Sequence, residues 1–313
     1  MNNIIRMWNR NRKVIIIIAL IVVFCFLVLH ILNNIAKENI AKQNMPNVSN
    51  NANSEEKKLP TTSIITGEKV NEKVTTNNVE IIEKFVETCN YGKIEEAYNM
   101  LTDGCKEALY PTVEKFCDNY YNIIFKNPRT TKIENYKNST STNTYIVTLY
   151  EDIMATGSVQ STGDYKDYIT VEKEDGKLNI NSLITSKSIK KESEKNGISI
   201  KVLKQEIYLD YETYEFEFKN NTENTIMLDT LLNSKTIYLL DRNNIKYSSF
   251  AAEVSDIFYE LSSYETTTFS IRFNKRYNPV DETKKIGFSD IILNYEQYKE
   301  QNTKEREKIE IDL

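Results

Sequence analysis

Hydrophobic and polar positions change their spacing three times along this chain. From Val14 to Leu32, nineteen consecutive residues carry no formal charge. A helix of that length spans roughly 28 Å, close to the hydrocarbon core of a bilayer. The run has no polar face, so it does not read as a surface helix of a folded domain. It is longer than the apolar part of a signal peptide, which is about 7–15 residues. It leaves through His30-Ile31-Leu32-Asn33-Asn34 rather than through small residues. The pattern predicts an N-terminal transmembrane helix over residues 14–32. Arg6, Arg10, Arg12 and Lys13 precede it, with no acid among residues 1–13. That flank predicts a cytoplasmic N-terminus and extracytoplasmic C-terminal domains. Trp8 fits the inner headgroup level.

Residues 33–77 contain no Phe, Trp or Tyr and are rich in Asn, Lys, Thr and Glu. Such a stretch buries too little apolar surface to offset its ordering entropy, so a disordered stalk is expected. Its root-mean-square reach as a flexible coil is about 35–40 Å.

Helical spacing begins near residue 78. VEIIEKFVETCNYG carries the stripe Ile82, Phe85, Val86, Cys89 and stops at Gly92, and Asn77 with Glu80 fits an N-cap pair. KIEEAYNML gives a second helix that closes at Thr102-Asp103-Gly104. Pro111 opens a third, TVEKFCDNYYNIIF, with the stripe Val113, Phe116, Cys117, Tyr120, Ile124. The period then falls to two: Tyr145, Val147 and Leu149 alternate with Ile146, Thr148 and Tyr150, and Glu174-Asp175-Gly176 marks a hairpin. Residues 78–188 therefore predict an α+β unit of three helices followed by a curved antiparallel sheet. The polar stretch Lys187–Gly197 suggests a joint at residues 189–194. From 195 to 313 strands dominate. Tyr214, Phe216 and Phe218 alternate with Glu215 and Glu217, and turns are expected at Asn220-Asn221, Arg242-Asn243-Asn244 and Ser262-Ser263. These features predict an all-β sandwich. The closing EKIEIDL reads as an edge strand or a trailing tail.

Two resemblances follow. FVETCNYGKIEEAYNMLTDGCKEALYPTVEKF resembles the helical opening of nuclear-transport-factor-2-like, cone-shaped α+β domains. The resemblance covers about 110 residues and implies a conical pocket used by enzymes, ligand binders or envelope scaffolds. IYLLDRNNIKY, LSSYETTTFSIRF and IGFSDIIL together resemble bacterial extracytoplasmic immunoglobulin-like domains, which pair a D-x-x-x-x-x-Y hairpin with an alternating Phe strand. The antibody-type Cys…Trp…Cys set is absent. The wealth of Asn, Lys and Ile resembles proteins of low-GC Gram-positive bacteria.

Charge and candidate chemistry narrow the functions. The formal net charge is −5, and Lys and Arg are balanced by acids almost everywhere, so phosphate-driven nucleic-acid binding has no basic stripe to rest on. The one histidine, His30, lies in the apolar run. An interfacial residue explains it, since a proton relay needs an intramembrane partner. Enzymes of the cone family commonly use a His/Asp pair, and the region beyond residue 33 has no histidine. Glu151 and Asp152 at a strand end are candidates for a pocket mouth; solvated loop charges are the plainer account. Asp241-Arg242-Asn243 hints at a calcium loop but lacks ligands at fixed offsets and the glycine at the sixth position, so a hairpin turn explains it. Cys25 follows Phe24, a residue too bulky for a lipidation signal. Cys89, Cys105 and Cys117 fit either one disulfide plus a free thiol or three small core residues. The abundant Tyr fits either an adhesive surface or a covered sandwich.

No catalytic, cofactor-binding or metal residue is assigned, no cofactor is expected, and the chain is expected not to be an enzyme. The function expected is that of a membrane-anchored extracytoplasmic binding or scaffold protein of the cell envelope. Its partner would be an envelope protein, peptide or glycan. An enzyme or small-ligand carrier using the cone pocket, and a scaffold subunit of a conjugation or secretion apparatus, are the alternatives. The sequence does not set the oligomeric state.

Overall fold

The structure, a computed structural model, describes residues 59–151, 163–229, 236–250, 259–301 and 306–313. The predicted transmembrane segment 14–32, with Cys25 and His30, lies outside these residues, as do Trp8, the stalk up to residue 58, and Asp152. Among the described residues no helix is long and apolar enough to cross a membrane. The longest helix, α1 (Glu72–Asn90), is amphipathic: Ile82, Phe85, Val86 and Cys89 are buried, while Glu80, Lys84 and Glu87 face solvent. The expected fold class is therefore corrected. In place of an α+β unit and a separate sandwich, the described residues form a predominantly β chain, and no transmembrane helix is found among them. It is built from four antiparallel sheets with short helices. Residues 58–313 form one compact unit.

Helix α1 starts earlier than its apolar stripe suggests. Asn71, not Asn77, is the N-cap and accepts from the Lys73 amide at 2.9 Å. The end of the expected stalk is also structured. Thr62 bridges to Lys69, the Ile64 amide donates to the Asn135 carbonyl at 3.0 Å, and buried Ser63 donates to the Tyr136 carbonyl at 2.5 Å. Backbone pairing onto a strand edge needs no apolar side chains, so composition does not reveal it. Three short helices follow: α2 (Ile94–Asn99), α3 (Asp103–Leu109) and α4 (Val113–Phe116). Thr102, expected to close a helix, instead caps α3 by accepting from the Cys105 amide at 2.9 Å. After α4 the chain makes a π turn, Cys117–Tyr121, and ends in α5 (Asn122–Ile124).

The first sheet runs in the order β1 (Arg129–Asn138), β2 (Thr142–Glu151), β3 (Tyr165–Glu172), β4 (Leu178–Asn179). Its inner face, with Tyr145, Val147, Leu149, Ile169 and Val171, shares a core with α1 and Phe116, Tyr120 and Phe125. A bulge between Asn135 and Lys137 turns Tyr136 to the outer face, where it meets Tyr168 edge-on at 5.1 Å.

The predicted joint is a strand. β5 (Leu183–Lys195) pairs antiparallel with β6 (Ile198–Tyr208) along nearly its whole length. Leu183 and Tyr208 belong to the first core, whereas Ile198, Ile200 and Val202 belong to the second. β5 stands at the end of its sheet, and its exposed Lys190, Lys191, Glu192 and Glu194 are the charges an edge strand tolerates. The same charges gave the sequence its linker character.

The second core lies between two four-stranded sheets. One runs in the order β12 (Thr266–Phe273), β7 (Glu212–Asn220), β6, β5. The other runs β10 (Lys246–Ser248), β9 (Ile237–Asp241), β13 (Thr283–Ile291), β14 (Glu307–Asp312). A two-stranded sheet pairs β8 (Ile226–Met227) with β11 (Glu260–Leu261), and a last helix, α6 (Tyr295–Gln301), precedes β14. Tyr214, Phe216 and Phe218 point inward as their alternation predicts. EKIEIDL forms an edge strand on β13.

Candidate functional site

The strongest polar cluster in the first half lies on strand β3, at a residue not singled out from the sequence. Strand β3 places Tyr165, Asp167, Ile169 and Val171 on one side, and Asp167 pairs across from inward-facing Val147. An acid thus stands on the core face, 2% exposed. Its parity with Ile169 and Val171 was the available signal. The π turn swings Tyr120 inward, and its hydroxyl donates to Asp167 Oδ2 at 2.8 Å. The Asn181 amide donates to the same oxygen at 3.0 Å. The Tyr168 and Ser182 amides donate to Oδ1 at 2.7 and 3.2 Å. Asn181 and Ser182 both have left-handed backbones, with φ of 56° and 64°. Two consecutive non-glycine residues in that region are costly. The turn is held because it aims both amides at the carboxylate.

Burial pushes the Asp167 carboxyl above its ordinary value, with the four donors acting in the opposite direction. Each oxygen takes two donors, which fills the roughly four lone-pair sites of a carboxylate. No acceptor position is left for an incoming proton donor. The surroundings are packed with rings: Phe116 stacks on Tyr120 at 5.7 Å, and Tyr110 meets both edge-on at 5.6 and 5.9 Å. The arrangement is a clamp tying helix layer, sheet and the β4–β5 turn together.

The clamp continues into the second half. The Ser182 carbonyl accepts from the Leu209 amide at 3.0 Å, and the Leu209 carbonyl accepts from the Tyr277 amide at 2.9 Å. The Tyr277 carbonyl in turn accepts from Lys137 Nζ on β1 at 3.1 Å. Lys137 is buried beside the rings of Tyr136 and Tyr277, and this desolvation lowers its pKa. Nearby, Tyr208 stacks on Tyr211 at 4.4 Å, and the Arg272 guanidinium lies 3.7 Å from the Tyr211 ring centre.

A second buried carboxylate holds the sandwich core. Glu212 and Lys275 are 1% and 3% exposed and meet at 2.6 Å. The other Glu212 oxygen accepts from the Tyr214 and Thr283 hydroxyls at 2.6 and 2.8 Å, and Gln205 donates to the Tyr214 hydroxyl at 2.6 Å. A buried charge pair needs this kind of completed network to be tolerated.

The residues singled out from the sequence disperse. Glu151 is buried at the end of β2 and accepts from Asn127 at 2.5 Å; its sequence neighbour Asp152 lies outside the described residues. Asp241 caps the β9–β10 turn. Oδ1 accepts from the Asn243 and Ile245 amides, each at 2.8 Å, and Oδ2 accepts from the Tyr247 hydroxyl at 3.1 Å. The D-x-x-x-x-x-Y spacing therefore has a hairpin-closing role here. Cys89, Cys105 and Cys117 are free. Burial raises the first two thiols, Cys105 to about 12. Among the described residues, no group of three or more His, Cys, Asp or Glu could hold a metal ion.

No protein-family model and no curated protein matches the chain. Among solved structures, a conserved hypothetical protein from Bacillus anthracis is similar over 33% of this chain and 89% of its own, with 17% identity and a TM-score of 0.25. A TM-score that low carries no argument about fold or function.

Proposed function

We propose that this chain is a binding or scaffold protein of the cell envelope that acts outside the cytoplasm, with an envelope protein, peptide or glycan as its partner, and that it is not an enzyme. The observation that carries the non-enzymatic part is the occupancy of its buried acids. Asp167 has both oxygens filled by four protein donors, and Glu212 is enclosed by Lys275, Tyr214 and Thr283. A general base needs a lone pair within reach of substrate, and the aromatic packing around Asp167 offers no such approach. The hydrogen-bond chain from Asp167 through Ser182, Leu209 and Tyr277 to Lys137 supports a rigid presenting body. The envelope location is supported by the sequence alone, through the uncharged run Val14–Leu32 and its basic leading flank.

Large exposed rings such as Tyr91 and Tyr264, 72% and 65% exposed, are where a partner would be sought first. Photo-crosslinkable residues at positions 91 and 264 of the full chain, expressed in its native cell, are expected to trap one discrete adduct from outside the cytoplasm. Absence of any adduct, together with an activity abolished by Asp167→Asn in a chain that still folds, would overturn the proposal in favour of catalysis.

A further inference from the structure

The hairpin between β5 and β6 turns on Asn196-Gly197, with Lys195 and Ile198 paired across it. Both turn residues are left-handed, at φ 51° and 77°. That conformation explains the choice of Asn-Gly. It is the single Asn-Gly dipeptide in the 313 residues, and Asn196 is exposed. Its side chain is in use. Glu307, the first residue of β14, accepts from Lys195 Nζ at 2.5 Å and from Asn196 Nδ2 at 2.6 Å, and from the Lys308 amide at 2.8 Å. Lys195 is the main cause that holds the Glu307 carboxyl below its ordinary value. The β13–β14 register shifts between Phe288 and Ile291, next to the Glu307–Ile291 pair. The start of the last strand is thus tied down by the hairpin tip at the place where its own ladder is irregular.

We propose that Asn196-Gly197 is a site of spontaneous covalent modification that unfastens the start of β14. The backbone nitrogen of Gly197 attacks Cγ of Asn196. A bond forms between that nitrogen and Cγ, the Cγ–Nδ2 bond breaks, and ammonia leaves carrying the proton given up by the Gly197 amide. Water then adds to one of the two carbonyls of the five-membered imide and reopens it as aspartate or isoaspartate. The sum is amide plus water giving carboxylate plus ammonium, with no oxidant or metal. Glycine favours the attack because no Cβ shields its nitrogen. The product replaces a donor facing Glu307 with a second carboxylate, so an attraction becomes a repulsion between like charges.

The test ages the full chain in mildly alkaline buffer and maps its peptides. Asn196 is expected to gain about one mass unit roughly tenfold faster than the other asparagines, with isoaspartate in the product. Gly197→Ala is unsuitable as a control, since the new Cβ would sit 2.8 Å from Thr222 in a left-handed turn. Asn196→Asp and the neutral Asn196→Gly serve instead, since aspartate and glycine both tolerate the left-handed backbone at φ 51°. Hydrogen exchange at Glu307–Ile309 is expected to rise more for the charged variant than for the neutral one. If Asn196 converts no faster than other asparagines, the site is overturned. If both variants exchange like the wild type, the unfastening is.

Discussion

Tyr120 and Asp167, 47 positions apart, are joined by a 2.8 Å hydrogen bond from phenol to carboxylate. The bond is made from a π turn on one side and the core face of a strand on the other. Asp167 adds three backbone amides, so one carboxylate organises three elements.

Asp167→Ala leaves four buried donors without an acceptor and is expected to cost about 3–5 kcal/mol. Tyr120→Phe removes one hydroxyl and is expected to cost about 1–2 kcal/mol. Denaturant titration of both variants checks the ratio. Equal losses would mean that the amides contribute nothing.

The same carboxyl sets a pH dependence. Its value in the fold is raised above the unfolded one. Its contribution to stability is therefore fully present below the unfolded value and is lost as pH rises through the raised folded value. The stability of the wild type relative to Asp167→Asn is expected to fall as pH rises across that window. A flat difference would contradict the burial.

Lys275→Met strands Glu212 in the core, and Glu212→Gln strands Lys275. Each is expected to lose about 3–5 kcal/mol, and the double variant less than the sum. A double-mutant cycle by thermal denaturation reads the coupling. Strict additivity would show that the pair does not interact.

Gly104→Ala would place a Cβ 2.5 Å from the Ser186 carbonyl of β5. Backbone cannot swing aside, so α3 must lift from the strand at a cost of about 1–3 kcal/mol. A midpoint unchanged from the wild type would rule out the close approach.

Cys89 and Cys105 are buried with raised thiols, while Cys117 is partly exposed. Under native labelling followed by peptide mapping, Cys117 is expected to react, and Cys89 and Cys105 only after unfolding. Rapid native labelling of Cys89 would contradict its place in the core.

The sequence showed what periodicity can show. The stripe of α1 and the alternation of Tyr214, Phe216 and Phe218 both point inward as read. It concealed β5, because a strand stabilised by backbone pairing at an edge carries the same charged composition as a linker. It concealed Asp167, because one acid in an apolar alternation looks like a solvent-facing residue until its four donors are brought in from elsewhere in the chain. The Asp241 turn was legible as a turn, but the reason for its tyrosine partner was not. That reason is a hydrogen bond across the hairpin.

The through-running strand β5 also fixes how the molecule would carry load. β5 and β6 both run from the first core to the second and meet at the Asn196-Gly197 turn, so a pull applied between the Asp167 half and the Glu212 half is shared by two backbones rather than carried by one.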